Sequence, residues 1–541
     1  MDQETNRNSI RALEKQIEEH EKALIRLKRT RNSLLNVSIL LPPEILGKIF
    51  HYNVVPDGDF GGPSQGSYNF LLVCHHWFEV ASRTPELWCS WGDSIQDWAH
   101  RCAHHGTVPL DLALGWYTQP DSLGDELRDA LRDRAARDTI RRVHLNNPNA
   151  KLLNFIISSI TTKGEGTQLS SVESFIVQNG DYSMVLVDVS DFFARYRFPK
   201  LKRLRLSGCG ISSWDSLRSK AMALTSLNLA TSGRSTIPTA SQLISVLSSN
   251  PLLQNLSLAH GSVPRVVDVD RSSPRVPLRH LKVLHLASGF CHVFGLLNRL
   301  EIPEKTVHLC LFLSECSPLD ISQTLGPYIG DHIRRRSRCP GGELGLFAQR
   351  RSGVFHLCAE DVHERGDPAI VARFMTVEVA MNKILEERAE ETGFDLIAHI
   401  PRKEIASLRT TLPILRSEEL CVKMCNLVEL HLGDVDMSTF VVESDIREPH
   451  TPKDLLPSLA SISITRPVLG GGGWGPFTDF LARRAAVGNR ISSLKIGGFP
   501  HMGTDVVERM SRVVEVLGDV DTLGWSQYLP LDLAVADNSL R

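Results

Sequence analysis

The sequence predicts a mixed α/β protein: an amino-terminal helix, a small all-α module, and an irregular αβ solenoid over most of the chain. Three observations predict it. A Glu-, Lys-, Arg- and Leu-rich stretch without Pro or Gly opens the chain, a dense apolar segment begun by two prolines follows, and from residue 140 an apolar triplet spaced L-x-x-L-x-L recurs. The expected segments are 1–36, 37–92 and 93–541.

Composition fits a folded chain. Apolar residues make up 42% and charged residues 23% of 541 positions, and 60 Lys and Arg nearly balance 62 Asp and Glu. That balance gives no global reason to expect a nucleic-acid or membrane-surface partner. No run approaches the 18 or so consecutive apolar residues of a membrane span. Glu14, Glu18, Glu19 and Glu21 near the start argue against secretory and transit signals, so a cytoplasmic or nuclear protein is expected. Eleven dispersed cysteines read as reduced thiols packed as small hydrophobes.

From Asn8 to Leu35, Ile10, Leu13, Ile17, Leu24, Leu27 and Leu34 fall on alternating three- and four-residue steps, the pattern of an amphipathic helix. His20 and Arg31 interrupt the same seam. Two readings stay open: a solvated helix packed on its own next domain, and a weakly self-associating coiled coil over residues 8–35.

The strongest signal lies in residues 41–92. Leu41-Pro42-Pro43-Glu44-Ile45-Leu46 starts a helix, since proline suits the first turn and an acid suits the positive end of the dipole. Ile45, Leu46, Ile49 and Phe50 form its apolar side. After a Gly- and Pro-containing loop, about 57–67, a second helix is expected from Leu71 through Leu72-Val73-Cys74-His75-His76-Trp77 to Ala81, and Thr84-Pro85-Glu86-Leu87-Trp88 follows. So large an apolar load on some fifty residues exceeds what short helices bury among themselves, which points to a partner.

This stretch resembles an F-box domain: the Leu-Pro-Pro-Glu-Ile-Leu opening with Ile49-Phe50, Leu72-Val73-Cys74 ahead of Trp77, then Thr84-Pro85-Glu86-Leu87-Trp88. The resemblance covers about a tenth of the chain. It implies docking on a Skp-type adaptor and, through it, on a cullin and its ubiquitin-conjugating machinery, with the remaining chain choosing a protein target. It also implies the contact residues Leu41, Pro42, Pro43, Ile45, Leu46, Ile49, Phe50, Leu72, Val73, Cys74, Trp77, Leu87 and Trp88. Two features depart from the family: His75 and His76 stand where a basic residue is usual, and the loop between the first two helices is longer.

Beyond residue 92, clear triplets occur at Leu201/Leu204/Leu206, Leu224/Leu227/Leu229, Leu253/Leu256/Leu258, Leu281/Leu284/Leu286 and Leu427/Leu430/Leu432. Weaker ones start at Ile140, Val172, Leu459, Ile491 and Val520. The spacing resembles leucine-rich repeats: the last two positions of each triplet point inward from a short strand, and helices such as Ala240–Ser249 form an outer layer. The turn position that would carry a bonding amide or thiol holds Cys209, Ser232, Gly261, Gly289 and Val435, so irregular turns are expected. From 313 to 419 the triplet fades, and either degenerate repeats with insertions or a separate small domain would account for it. Trp98–Leu114 reads as an entry cap and first strand.

No catalytic residue, cofactor or metal is expected. His100, Cys102, His104 and His105 lack a second ligand cluster, and Cys421, Cys425 and His431 read as core groups at a strand start. Gly470–Gly473 lacks the Lys and hydroxyl of a phosphate loop, and Arg334–Arg338 reads as a solvated loop. The expected function is therefore that of a substrate receptor, with a repeat scaffold unconnected to ubiquitination as the alternative and an enzyme third.

Overall fold

The computed structural model describes residues 2–35, 41–54, 69–84, 87, 90–91, 110–114, 140–146, 171–179, 188–195, 197–218, 223–231, 237–264, 275–303, 308–337, 343–351, 354–362, 372–380, 393, 396–400, 405–411, 424–434, 437, 456–469, 473–497 and 503–519. The protein is mixed α/β, and its strands pair predominantly in parallel. It divides into two compact units, Met1–Cys209 and Gly210–Arg541. Among the described residues no helix is long and apolar enough to cross a membrane.

The first unit opens with α1 (Asp2–Leu35), whose residues 8–31 are all exposed. The described residues therefore give no support to packing of this helix on its own next domain. Next come α2 (Pro43–Val54), a 3₁₀ turn at Asn69–Leu72, and α3 (His75–Ser82). The continuous second helix expected from Leu71 is divided: Cys74 is extended at φ −162° and acts as N-cap, so α3 starts only at His75. The apolar run Leu71-Leu72-Val73 carries no information about that break.

Five parallel strands follow in the first unit: β1 (Ser90–Trp91), β2 (Leu110–Leu114), β3 (Ile140–Asn146), β4 (Ser174–Gln178) and β5 (Arg203–Ser207). Leu112, Val143, Phe175 and Leu204 align in one row and Leu145, Val177 and Leu206 in another, all seven buried. Side chains of period two on parallel strands put every second position into one core. Phe192, Phe193 and Phe198 close over Phe175, with ring centroids 4.8–6.1 Å from it. After β5, Gly208 takes φ +65°, where a Cβ would lie 2.0 Å from the Asn179 carbonyl oxygen.

In the second unit β6 (Ser226–Thr231), β7 (Asn255–His260), β9 (Val283–Gly289) and β11 (His308–Ser314) pair in parallel, and the short β8 (Val276–Pro277) pairs with β10 (Leu300–Glu301). Leu227, Leu256, Leu284 and Leu309 share one buried row, and Leu229, Leu258, Leu286 and Leu311 the next. The helix Ala240–Ser248 starts at a capping box in which Thr239 and Gln242 satisfy each other's backbone N–H.

Buried side chains at other positions bond the backbone of several turns. Ser262, one residue past Gly261, places Oγ 2.7 Å from both the Leu229 and the Ala259 carbonyl oxygens. Asn250 donates to Val246 O and accepts from Leu224 N, and buried Arg484 donates to the carbonyls of Leu456 and Leu459. Left-handed residues close several strands: Glu315, Asp434 and Arg466 have φ of 50–58°. Asp434 N and Arg466 N donate to the next strand's terminal carbonyls, Thr465 O and Gly497 O.

The segment where the triplet fades holds an antiparallel excursion. β12 (Glu343–Arg351), β13 (Val354–Val362) and β14 (Ala372–Ala380) are nine residues each, and β15 (Ile405–Thr410) resumes the parallel pattern. Pairing runs β11–β14–β13–β12–β15, with β13 antiparallel to both neighbours. These strands belong to the same sheet, so a separate small domain does not describe them. The order makes the connections β11→β12 and β14→β15 overlap. They meet where the helix Gly326–Ser337 lies against residues 396–400: a Cβ at Gly330 would sit 2.2 Å from His399 O, and one at Gly326 2.3 Å from the His399 ring. That helix also contains Arg334 and Arg335, exposed, with Arg334 paired to Asp331 at 2.7 Å, in place of the expected arginine loop.

β16 (Glu429–Gly433), β17 (Ser461–Thr465), β18 (Ile491–Gly497) and β19 (Val514–Asp519) continue in parallel. β19 occupies the register next to β18 that the sequence would give to Val520, Leu523 and Trp525, which lie outside the described residues. Trp98 and residues 382–392 lie outside them too, as do the His100–His105 cluster and Cys421.

Candidate partner-binding site

Residues 41–87 form a module with its own small core. The Pro42 carbonyl accepts from Ile45 N and Leu46 N and so locks the first turn of α2, with Glu44 at its positive end. Leu46 and Phe50, one turn apart, face inward with Val80, Ala81 and Leu87, and all five are buried. Leu41, Leu71 and Trp77 pack partly against this cluster, the Trp77 ring 5.1 Å from that of Phe50. Thr84 ties the end of α3 down: its Oγ1 donates to Val80 O, its N–H to Ala81 O, and its carbonyl accepts from Leu87 N. Gly47 lets α2 pass close by, since a Cβ there would lie 3.3 Å from Thr84 Oγ1.

This core reassigns three of the expected contact residues. Leu46, Phe50 and Leu87 are fully buried inside the module, so they hold it together and offer no surface to a partner. Trp77 and Leu41 are half-buried, Cys74 is half-buried at the α3 N-cap, Pro42 and Pro43 are exposed, and Trp88 lies outside the described residues.

What remains uncovered is apolar. Ile45 is 41% and Ile49 38% exposed on one side of α2, and Leu72 is 86% and Val73 51% exposed just before α3. Tyr52 and Phe78 are exposed as well, and the sequence reading missed both. Tyr52 lies three residues past Ile49 and seven past Ile45, a helical spacing that was available as a signal. Fully covering one such side chain is worth about 1.5–3 kcal/mol.

Between α2 and α3 a groove of about 710 Å³ is lined by Glu44, Lys48, His51, His76, Glu79 and Arg83. His75 approaches Glu79 at 3.7 Å, while His76 Nε2 is buried without a hydrogen-bond partner among the described residues. On β2, the Asp111 carboxyl is pushed above its ordinary value chiefly by burial and drawn back by Arg142, at 3.4 Å, Arg141 and His51.

The second unit presents a second candidate surface, the strand positions between the buried ones. Asn228, Ser257, His285 and Cys310 share a row. Ser257 Oγ lies 3.0 Å from His285 Nδ1, Cys310 Sγ 3.3 Å from His308 Nε2, and the His285 ring meets Phe312 edge-on at 4.8 Å. These half-buried groups donate and accept hydrogen bonds beside an aromatic ring, as a protein-binding face does. Among the described residues no group of three His, Cys, Asp or Glu is placed to hold a metal. None of the seven described cysteines is in a disulfide, and burial pushes Cys209 and Cys316 up to about 12. His431 Nε2 lies 3.6 Å from Glu429 Oε2, and its nearness holds the Glu429 carboxyl below the ordinary value.

No protein-family model matches the chain, and no curated protein sequence matches it.

Proposed function

We propose that the chain is an F-box substrate receptor. Its module at 37–92 docks on a Skp-type adaptor and through it on a cullin, and its leucine-rich-repeat-like solenoid, in the cytoplasm or nucleus, holds a protein target on the strand face for ubiquitination. The protein itself carries no catalytic site and no cofactor. One observation carries the reading: a module with a complete small core still leaves Ile45, Ile49, Leu72 and Val73 in water. Folding does not require them there, and helix-in-groove recognition does. The docking residues are then Pro42, Pro43, Ile45, Ile49, Leu72 and Val73, with Trp77 and Leu41 at the edge.

The test is co-expression with a Skp-type adaptor and co-purification. Ile45→Asp and Ile49→Asp are expected to lose the adaptor while keeping the wild-type melting temperature. Equal retention by wild type and both variants would overturn the assignment of this surface. The second reading, a scaffold that never meets a ligase, draws on the uncovered seam of α1; it predicts no adaptor in the wild-type preparation.

A further inference from the structure

The helix α1 takes no part in the proposed adaptor contact. Along α1, Ile10, Leu13, Ile17, Leu24 and Leu27 are 51–69% exposed, and they occupy alternating a and d positions of a heptad. A helix of 34 residues is about 50 Å long at roughly 1.5 Å per residue. In water such a helix owes most of its stability to an apolar stripe that packs on something. The Glu18–Lys22 ion pair sits on the side away from the stripe.

We infer that α1 is covered by α1 of a second copy of this chain, and that the two run antiparallel. The seam's two polar residues set the direction. In a parallel, in-register pair His20 would meet His20 and Arg31 would meet Arg31, placing like groups together in the core. An antiparallel pair layers a against d, and the register that pairs every seam position from 10 to 34 sets Leu13 against Arg31, Ile17 against Leu27 and His20 against Leu24 of the second copy, each twice. Every polar seam residue then lies on a leucine, over which the Arg31 stem can extend its charge to water.

Charge agrees with this register. Flanking the layers, Glu14 faces Lys28 of the second copy on both sides of the dyad, and Glu21 meets Glu21 once at its centre. A parallel pair leaves Glu14, Glu21 and Lys28 beside Ser9, Gln16 and Ala23, with no ionic complement. Two attractive contacts against one repulsive one favour the antiparallel pair.

Sedimentation equilibrium of the full-length chain tests the proposal and its direction together. The wild type is expected to dimerise at tens of micromolar, and Leu24→Lys to be monomeric with an unchanged melting temperature, since the side chain is exposed in the single chain. Glu14→Lys alone and Lys28→Glu alone each turn two attractions into two repulsions and should raise the dimer dissociation constant by about tenfold. The double variant Glu14→Lys, Lys28→Glu should recover wild-type affinity. A wild type that stays monomeric at about 100 µM overturns the dimer; so does a dimer indifferent to Leu24→Lys. Single charge variants with wild-type affinity overturn the antiparallel register.

Discussion

The helical module and the parallel strands handle leucine and isoleucine in opposite ways. In β6, β7, β9 and β11 every triplet residue is inside: Leu227, Leu229, Leu256, Leu258, Leu284, Leu286, Leu309 and Leu311 are buried in two rows. Among the described residues of the expected contact set, only Leu46, Phe50 and Leu87 are buried, and Ile45, Ile49, Leu72 and Val73 face water. The strands gain their apolar residues' full transfer energy on folding. The module leaves part of it unrealised until another polypeptide covers it.

If that contrast is right, truncation inside either core is the most costly change. Phe50→Ala should cost about 3–5 kcal/mol and Leu256→Ala about 2–5 kcal/mol, read by denaturant unfolding. A cost near zero at Phe50 would make it a surface residue and undo the comparison. Next in size is Gly330→Ala, which drives a Cβ into His399 O and should cost about 1–3 kcal/mol. The loss should be local, seen as faster amide exchange in β12–β15 with β6–β9 unchanged. Ser262→Ala deprives the Leu229 and Ala259 carbonyls of their shared donor and should cost about 1 kcal/mol.

Smallest are the titrating groups of the first unit, which have opposite signs. Lys202 donates to Glu173 and holds its carboxyl below the ordinary 4.5, with Arg141 adding to the effect. That stability is present above the unfolded value and is lost as pH falls through the lowered folded one. Asp111 is raised by burial, so the folded chain holds its proton more tightly and ionisation weakens the fold as pH rises through the raised value. Melting followed from pH 7 to pH 3 should therefore fall less steeply in Glu173→Gln and more steeply in Asp111→Asn than in the wild type, each by under about 1 kcal/mol.

The same contrast explains what could be read from the chain alone. Triplets identify β3 to β7, β9 and β16 to β18 because burial of alternate positions is a local pattern, and Thr239 with Gln242 marks a helix start by its own chemistry. β12 to β14 were not legible as part of the sheet. Their place depends on pairing across up to four strands and on two glycines that let one connection pass another, and neither leaves a local signature. In the module, sequence identified the apolar residues but not their direction. Leu46 and Ile45 are neighbours of similar hydrophobicity, and only the approach of α3 decides that the first is core and the second surface. Ser262 was passed over because the bonding position shifts by one residue from Gly261.

The most direct measurement is a calorimetric titration of a Skp-type adaptor into the full-length chain and into Val73→Asp, with the melting temperature of each determined alongside. Binding by the wild type, lost or weakened at least tenfold in a variant that melts at the same temperature, is the predicted result. No heat of binding with the wild type, or equal affinity in the variant, would contradict it.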